Sequence, residues 1–108
     1  MEPVVLDAGL LRLRPWRAAD ADVARGRGMA AVAVDTACRR AFAALPVDRI
    51  ELCHALENTA SGRVAQKAGF TCEGRLRRSF RYGDGRKHDE LLWTRLADDP
   101  VPVVSIRS

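Results

Sequence analysis

The stretch Asn58-Thr59-Ala60-Ser61-Gly62-Arg63-Val64-Ala65-Gln66-Lys67-Ala68-Gly69-Phe70 reads as a short helix with both of its ends written in. Asn58 or Thr59 offers an N-cap, Ala60, Val64 and Ala68 form an apolar stripe at four-residue spacing, and Gly69 stands where a C′ glycine closes a helix. On its N-terminal side, Arg49 to Leu56 places Ile50 and Leu52 on one face and predicts a strand. On its C-terminal side, Thr71 to Tyr82 and Lys87 to Leu96 flank Gly83-Asp84-Gly85, a turn signal between two runs of strand length. The alternation of the first arm puts Leu76, Arg78, Phe80 and Tyr82 on one face and Arg75, Arg77, Ser79 and Arg81 on the other.

Upstream, Ala31, Val34, Cys38, Ala41, Phe42 and Leu45 recur at three- and four-residue steps, which predicts a helix near residues 28–45 that Pro46 stops. Before it, Leu11 and Leu13 alternate with Arg12 and Arg14, the period of a half-buried strand, and Pro15 ends the run. Polar, alanine-rich Ala18 to Ala24 reads as a short connection. The expected fold is α/β, one domain over residues 1–97 with an extended tail over 98–108. Its small mixed β-sheet uses strands near 9–14, 49–56, 71–82 and 87–97, with the two helices expected on opposite faces. A right-handed crossover from the strand at 49 to that at 71, with the last strand inserted antiparallel between them, leaves the strand at 49–56 with one poorly covered edge.

Composition bounds the function. With 108 residues, 47% hydrophobic and 30% charged, the chain can bury a core and is not a disordered polyelectrolyte. The longest strictly apolar run, Met29 to Val34, is far short of the ~20 residues of a membrane span. The acidic start Met-Glu-Pro-Val-Val-Leu-Asp lacks the features of a secretion signal, so the expected setting is cytoplasmic. Cys38, Cys53 and Cys72 form no CxxC pair and are expected as reduced thiols. No metal is expected, because His54 and His88 lie far apart in the sequence and the cysteines form no CxxC pair. Cys53 beside His54 suggests a nucleophile and base, but strand neighbours point to opposite faces, so the pair reads as a packed thiol and a partly exposed imidazole.

Arg25-Gly26-Arg27-Gly28-Met29-Ala30 opens the first helix, where unpaired backbone N–H groups and the positive end of the dipole converge. Glycine allows close approach of a phosphate and two arginines add charge, so the stretch is a candidate anion cradle; a flexible helix entry with two solvated arginines is the alternative. Gly26 to Ala31 also satisfies G-x-G-x-x-A, yet the polar run from Ala18 to Arg25 is not the buried strand a dinucleotide fold needs there.

This block and the later N-x-x-S-x-x-V-x-x-K-x-G-F block together resemble the GNAT superfamily of acetyl-CoA-dependent N-acetyltransferases, most closely its RimJ/RimL-like branch. Leu11-Arg12-Leu13-Arg14-Pro15-Trp16 is similar to the family's first strand, and Asp84 to Asp89 to its last hairpin. The resemblance implies that Arg25, Gly26, Arg27, Gly28, Met29 and Ala30 bind the pyrophosphate of coenzyme A. It also implies that Asn58 and Ser61 lie along the pantetheine arm and thiol, Asn58 as a hydrogen-bonding positioner and Ser61 as the acid for the departing thiolate. Read locally, Asn58 is an N-cap, Ser61 the N3 residue of the same turn and Lys67 a solvated helix residue. No general base is identifiable. Glu73 and Asp89 remain as candidates, each with a structural alternative as a partner of arginine or an anchor of the hairpin.

The resemblance also exposes a gap. Family members place helices and three antiparallel strands between the first strand and the pyrophosphate loop, about 50 residues or more, where this chain has only Arg17 to Ala24. Those elements hold most of the acceptor-amine pocket. The expected function is therefore transfer of an acetyl group from acetyl-CoA to a primary amine, a protein N-terminus or small amine, impaired by truncation. The alternatives are a remnant that binds acetyl-CoA without transfer, and a nucleic-acid or ribosome-binding module acting through Arg75, Arg77, Arg81, Arg86 and Lys87. Against the last, Phe80 and Tyr82 share the leucine face and read as core. The open sheet edge left by the missing strands predicts self-association.

Overall fold

A computed structural model describes the backbone of residues 2–5 and, with side chains, residues 9–14 and 29–103. The elements are β1 (Glu2–Val5), β2 (Leu10–Arg14), α1 (Met29–Ala44), β3 (Arg49–Ala55), α2 (Thr59–Lys67), β4 (Thr71–Arg81) and β5 (Lys87–Leu96). They form one mixed sheet in the order β1-β2-β3-β5-β4. As the sequence predicts, β5 lies antiparallel between β3 and β4. β1 was not foreseen; it pairs antiparallel with β2 from Glu2↔Arg14 to Val5↔Leu11.

Two expectations are corrected. The first is the open edge at β3. β2 lies parallel to β3 with Leu10 opposite Arg49 and Leu13 opposite Leu52, so β3 is the centre of the sheet and Ile50 to His54 are all buried. The edges are β1 and β4, and only Cys53 to Ala55 of β3 lack a β2 partner, so the long open edge expected for self-association is absent. β4 is also a poor template for pairing, since it carries irregularities at Cys72/Gly74 and Leu76/Phe80 together with four arginines.

The second correction concerns the helices, which share one face. Arg95 sits beneath both: its Nη1 donates to Asp35 Oδ1 of α1 at 2.8 Å and to the Ala68 carbonyl at the end of α2 at 3.0 Å. The reason is topological. α1 lies in the connection from β2 to β3 and α2 in that from β3 to β4, and both connections step in the same direction across the sheet. Parallel crossovers of one hand that step the same way put their helices on the same side. One core follows, in which Leu11, Leu13, Ile50 and Leu52 of the sheet meet Val34, Cys38 and Ala41 of α1 and Ala65 of α2, with its C-cap Ala68 and Phe70 beside them.

The ends of α2 are as the sequence has them. Asn58 is the N-cap, its Oδ1 accepting from Ser61 N at 3.2 Å. At the other end Gly69 N–H donates to Gln66 O and Phe70 N–H to Ala65 O, the double bond of a Schellman closure. Gly69 has φ +85, and a Cβ there would lie 2.9 Å from Pro102 Cγ, so both backbone and space require glycine. The same contact shows that the segment after β5 folds back onto the end of α2.

The opposite face of the sheet carries ion pairs. Glu51 accepts from Arg12 at 2.6 Å and from Arg49 at 3.1 Å, and Arg49 reaches on to Glu73 at 3.4 Å. In β4 the expected alternation fails at residues 77–79, which bulge out opposite Asp89 between the pairs Leu76↔Glu90 and Phe80↔His88. Arg78 takes φ 45 there, and its N–H donates to Asp89 Oδ1 at 2.8 Å. The bulge brings Ser79, placed by alternation on the other face, onto the same carboxylate as Tyr82.

Candidate functional site

The parallel ladder between β2 and β3 runs from Leu10↔Arg49 only to Leu13↔Leu52, while β3 continues through Cys53 and His54 to Ala55. The C-terminal part of β3 therefore has no β2 partner in that ladder. α1 has 16 residues, about 24 Å of helix, and runs back between parallel β2 and β3, so its N-terminus lies at the end of the sheet where β2 and β3 finish. α2 starts three residues beyond β3, at the Asn58 cap. Two helix N-termini thus meet the carboxyl ends of a parallel pair, the place where open α/β sheets receive anionic ligands.

Of the predicted site residues, Arg25, Gly26, Arg27 and Gly28 lie outside the described residues. Met29 and Ala30 open α1, Met29 exposed and Ala30 half-buried. Asn58 and Ser61 are brought together in the first turn of α2, Asn58 half-buried and Ser61 buried. Asn58 Oδ1 accepts from Ser61 N–H, which leaves its amide NH2 and the second lone pair of Oδ1 for a ligand. Lys67 is exposed at the far end of the helix. Among the described residues no group of three or more His, Cys, Asp or Glu side chains is placed to hold a metal. No described helix is long and apolar enough to cross a membrane.

The two carboxylates left as base candidates are both engaged. Glu73 accepts from Thr94 Oγ1 and from Arg49, which hold it below the usual carboxylate range. Asp89 is lowered likewise by the Arg78 N–H and by Arg75, whose Nη2 lies 2.6 Å from it. These are the structural roles weighed for them. Phe80 and Tyr82 are half-buried and also taken up by the fold: the Arg14 guanidinium lies 4.1 Å from the centroid of the Phe80 ring, and Tyr82 OH donates to Glu90. They form no open stacking platform for bases.

Near this end of the sheet, Glu90 is not among the sequence candidates, and His54 departs from the partly exposed state expected of it. Glu90 is fully buried opposite Ala55 and accepts two bonds from Arg14, both at 3.1 Å, one from Ser79 at 2.7 Å and one from Tyr82 at 2.6 Å. Burial is the largest influence and opposes its charge, but the bonds from Arg14, Tyr82 and Ser79 outweigh it and keep the carboxyl below its usual range. Tyr82 is pushed upward by its burial and by that carboxylate. His54 is fully buried, not partly exposed. Its Nδ1 lies 2.8 Å from Ala55 O and donates to it, and its Nε2 accepts from Trp93 Nε1 at 3.0 Å, which fixes a neutral imidazole. Cys53 is buried on the other face, where desolvation raises its thiol to about 11, so the Cys53–His54 pair cannot act together.

The histidines make opposite contributions to stability with pH. Burial pushes His54 below its usual value, so the unfolded chain takes up its proton first; the His54 contribution is complete above about pH 6.5 and lost as pH falls through the folded value. His88 bridges Asp84 at 2.7 Å and Glu57 at 3.1 Å and is raised, chiefly by the bond to Asp84. Its contribution is complete below about pH 6.5 and lost as pH rises through the raised value. Denaturant titrations across pH 5 to 9 are expected to show both limbs, with the alkaline one absent in His88→Gln; an alkaline limb that persists in that variant excludes the bridge as its source.

A family model described as "Acetyltransferase (GNAT) domain" matches residues 14–71, more than half of the chain. Among solved structures, RimJ of Mycobacterium smegmatis in complex with a CoA disulfide is 35% identical over 68% of this chain and 35% of its own, with a TM-score of 0.62. The ribosomal-protein-S5-alanine acetyltransferase of Vibrio fischeri is 26% identical over 75% and 44%, with a TM-score of 0.63. A variant of the spermidine N-acetyltransferase SpeG of Vibrio cholerae is 27% identical over 68% and 43%, with a TM-score of 0.58. The chain spans about two-fifths of the length of these structures. No curated protein sequence matches it.

Proposed function

Since the chain belongs to the GNAT acetyltransferase domain family, we propose that it binds acetyl-CoA at the carboxyl ends of β2 and β3 and transfers the acetyl group to a primary amine. The observation that carries this reading is the end of the β2–β3 ladder at Leu13↔Leu52 beside the N-termini of both helices. The acceptor is a protein N-terminus or a small amine, as for the related ribosomal-protein and spermidine acetyltransferases. The setting is the cytoplasm, in keeping with three free thiols.

In this reaction the amine nitrogen attacks the thioester carbonyl, a C–N bond forms, the C–S bond breaks, the nitrogen gives up one proton to solvent, and the departing thiolate gains one through a donor that solvent reprotonates. Ser61 is assigned as the proton donor to the thiolate and Asn58 as the residue that orients the acyl arm through its amide NH2. Arg25, Gly26, Arg27 and Gly28, followed by Met29 and Ala30 at the head of α1, are assigned to the pyrophosphate, where N–H groups and arginine charge act together. Replacing Arg25 and Arg27 by alanine should weaken acetyl-CoA binding in a calorimetric titration and reduce its salt dependence at the same time. Unchanged affinity removes this loop from the site, and NADH binding equal to that of acetyl-CoA favours a dinucleotide site instead.

The second reading, a domain that binds acetyl-CoA without efficient transfer, rests on the chain's span of about two-fifths of its structural relatives. The two readings share the cofactor site and differ in turnover.

A further inference from the structure

We propose that His54 is a positioning residue: a buried link that carries the rigidity of β5 into the Asn58–Ser61 turn and holds that turn in place. Four hydrogen bonds run in sequence. Trp93 Nε1–H donates to His54 Nε2 at 3.0 Å, and His54 Nδ1–H donates to the Ala55 carbonyl at 2.8 Å. Asn58 N–H donates to the same carbonyl at 2.9 Å, and Ser61 N–H donates to Asn58 Oδ1 at 3.2 Å. A carbonyl oxygen has two lone pairs, and here one takes the imidazole and the other the first N–H of the cap.

Packing reinforces the link. A Cβ at Gly62 would lie 3.3 Å from His54 Nε2 and 3.7 Å from Trp93 Cζ2, so the helix lays its one glycine against the ring. His54 and Trp93 are near-parallel at 26°, which sets the imidazole between the strand and the first turn of α2. At 1% exposure His54 has no surface for a ligand, so it acts through the turn and not on a reacting atom. An apolar side chain of that size would fill the space and leave Trp93 Nε1–H and one lone pair of Ala55 O unmatched.

This inference rests on the assignment of Asn58 and Ser61 to the site, and its test separates the two. His54→Leu removes both bonds, His54→Asn keeps a donor near the Nδ1 position, and Trp93→Phe removes only the indole donor. Amide hydrogen exchange, measured without substrate, should accelerate about tenfold or more at Asn58 and Ser61 in His54→Leu, be largely restored in His54→Asn, and be intermediate in Trp93→Phe. Acetyl transfer, followed in single turnover with excess enzyme, should lose about tenfold or more in rate with little change in the acetyl-CoA concentration giving half-maximal rate. Exchange that is unchanged at these two amides, or that rises equally across β3 and β5, overturns the positioning role. If His54→Leu does not fold, Trp93→Phe decides on the same criteria. Absence of transfer by the unaltered protein, with the local exchange pattern as expected, sinks the proposed activity and leaves the link standing.

Discussion

Replacing Asp35 with alanine is expected to cost about 3 to 5 kcal/mol of stability, because it leaves the Arg95 guanidinium charged and without its counter-ion in the interior. Both side chains are buried, Arg95 at 3% and Asp35 at 5% exposure, and the 2.8 Å bond between them joins β5 to α1. Arg95 also holds the Ala68 carbonyl, so one guanidinium ties both helices to the sheet. Asp35 is the common acceptor, since its second oxygen takes Arg39 at 3.1 Å. The control is the double replacement Asp35→Leu with Arg95→Met. It removes both charges, keeps the volume, and leaves mainly the Ala68 carbonyl to be rematched, so most of the loss should be recovered. Urea unfolding of the single and double variants makes the comparison, and a single variant within about 1 kcal/mol of the unaltered protein shows that the pair does not hold the helices.

Local signals were legible in the sequence, and long-range pairings were not. Asn58 and Gly69 mark the ends of α2 because the bonds they make are to residues three or four positions away. The order β3-β5-β4 follows from one hairpin turn and one crossover. By contrast, Leu11 and Leu13 announce a half-buried strand without naming its neighbour, and only the structure places β2 in the gap beside β3. The side on which α1 packs is hidden for a related reason. With β2 assigned no partner, nothing fixed the direction of the first crossover, and its hand alone could not say on which side α1 falls. Nor does the bulge at Arg77 to Ser79 carry the glycine or proline that would betray it. Glu90 looks like an outward polar residue of an alternating strand; its partner Arg14 is 76 positions away, and that separation hides the buried pair.

The same division between local and distant structure determines the largest expected effect on chemistry. The proposed acetyl-CoA site depends on what this chain contains: a helix entry with two glycines and two arginines, the first turn of α2, and the free run of β3 beyond Leu52. The acceptor site depends on walls that hold an amine in line with the thioester, and by the family pattern most of those belong to the elements for which this chain has only residues 15–28 between β2 and α1. Such positioning accounts for about 7 to 11 kcal/mol of barrier lowering where it is complete. Ser61 cannot replace it, because protonating the leaving thiolate accelerates attack only by an amine already in place; general acid catalysis contributes about 10²- to 10⁴-fold. Binding should therefore survive better than rate. Acetyl-CoA is expected to bind weakly but measurably by calorimetry, while thiol release across a panel of peptide and small-molecule amines runs several orders of magnitude below that of a full-length relative. Two results would separate the readings further. Ser61→Ala should lower a slow amine-dependent rate and leave acetyl-CoA affinity nearly unchanged, whereas in a pure binding domain it lowers nothing because no amine-dependent rate exists. Turnover equal to that of a full-length relative, from the isolated chain, would show that β2 and the residues that follow it rebuild the acceptor walls, and the binding-only reading would then fail.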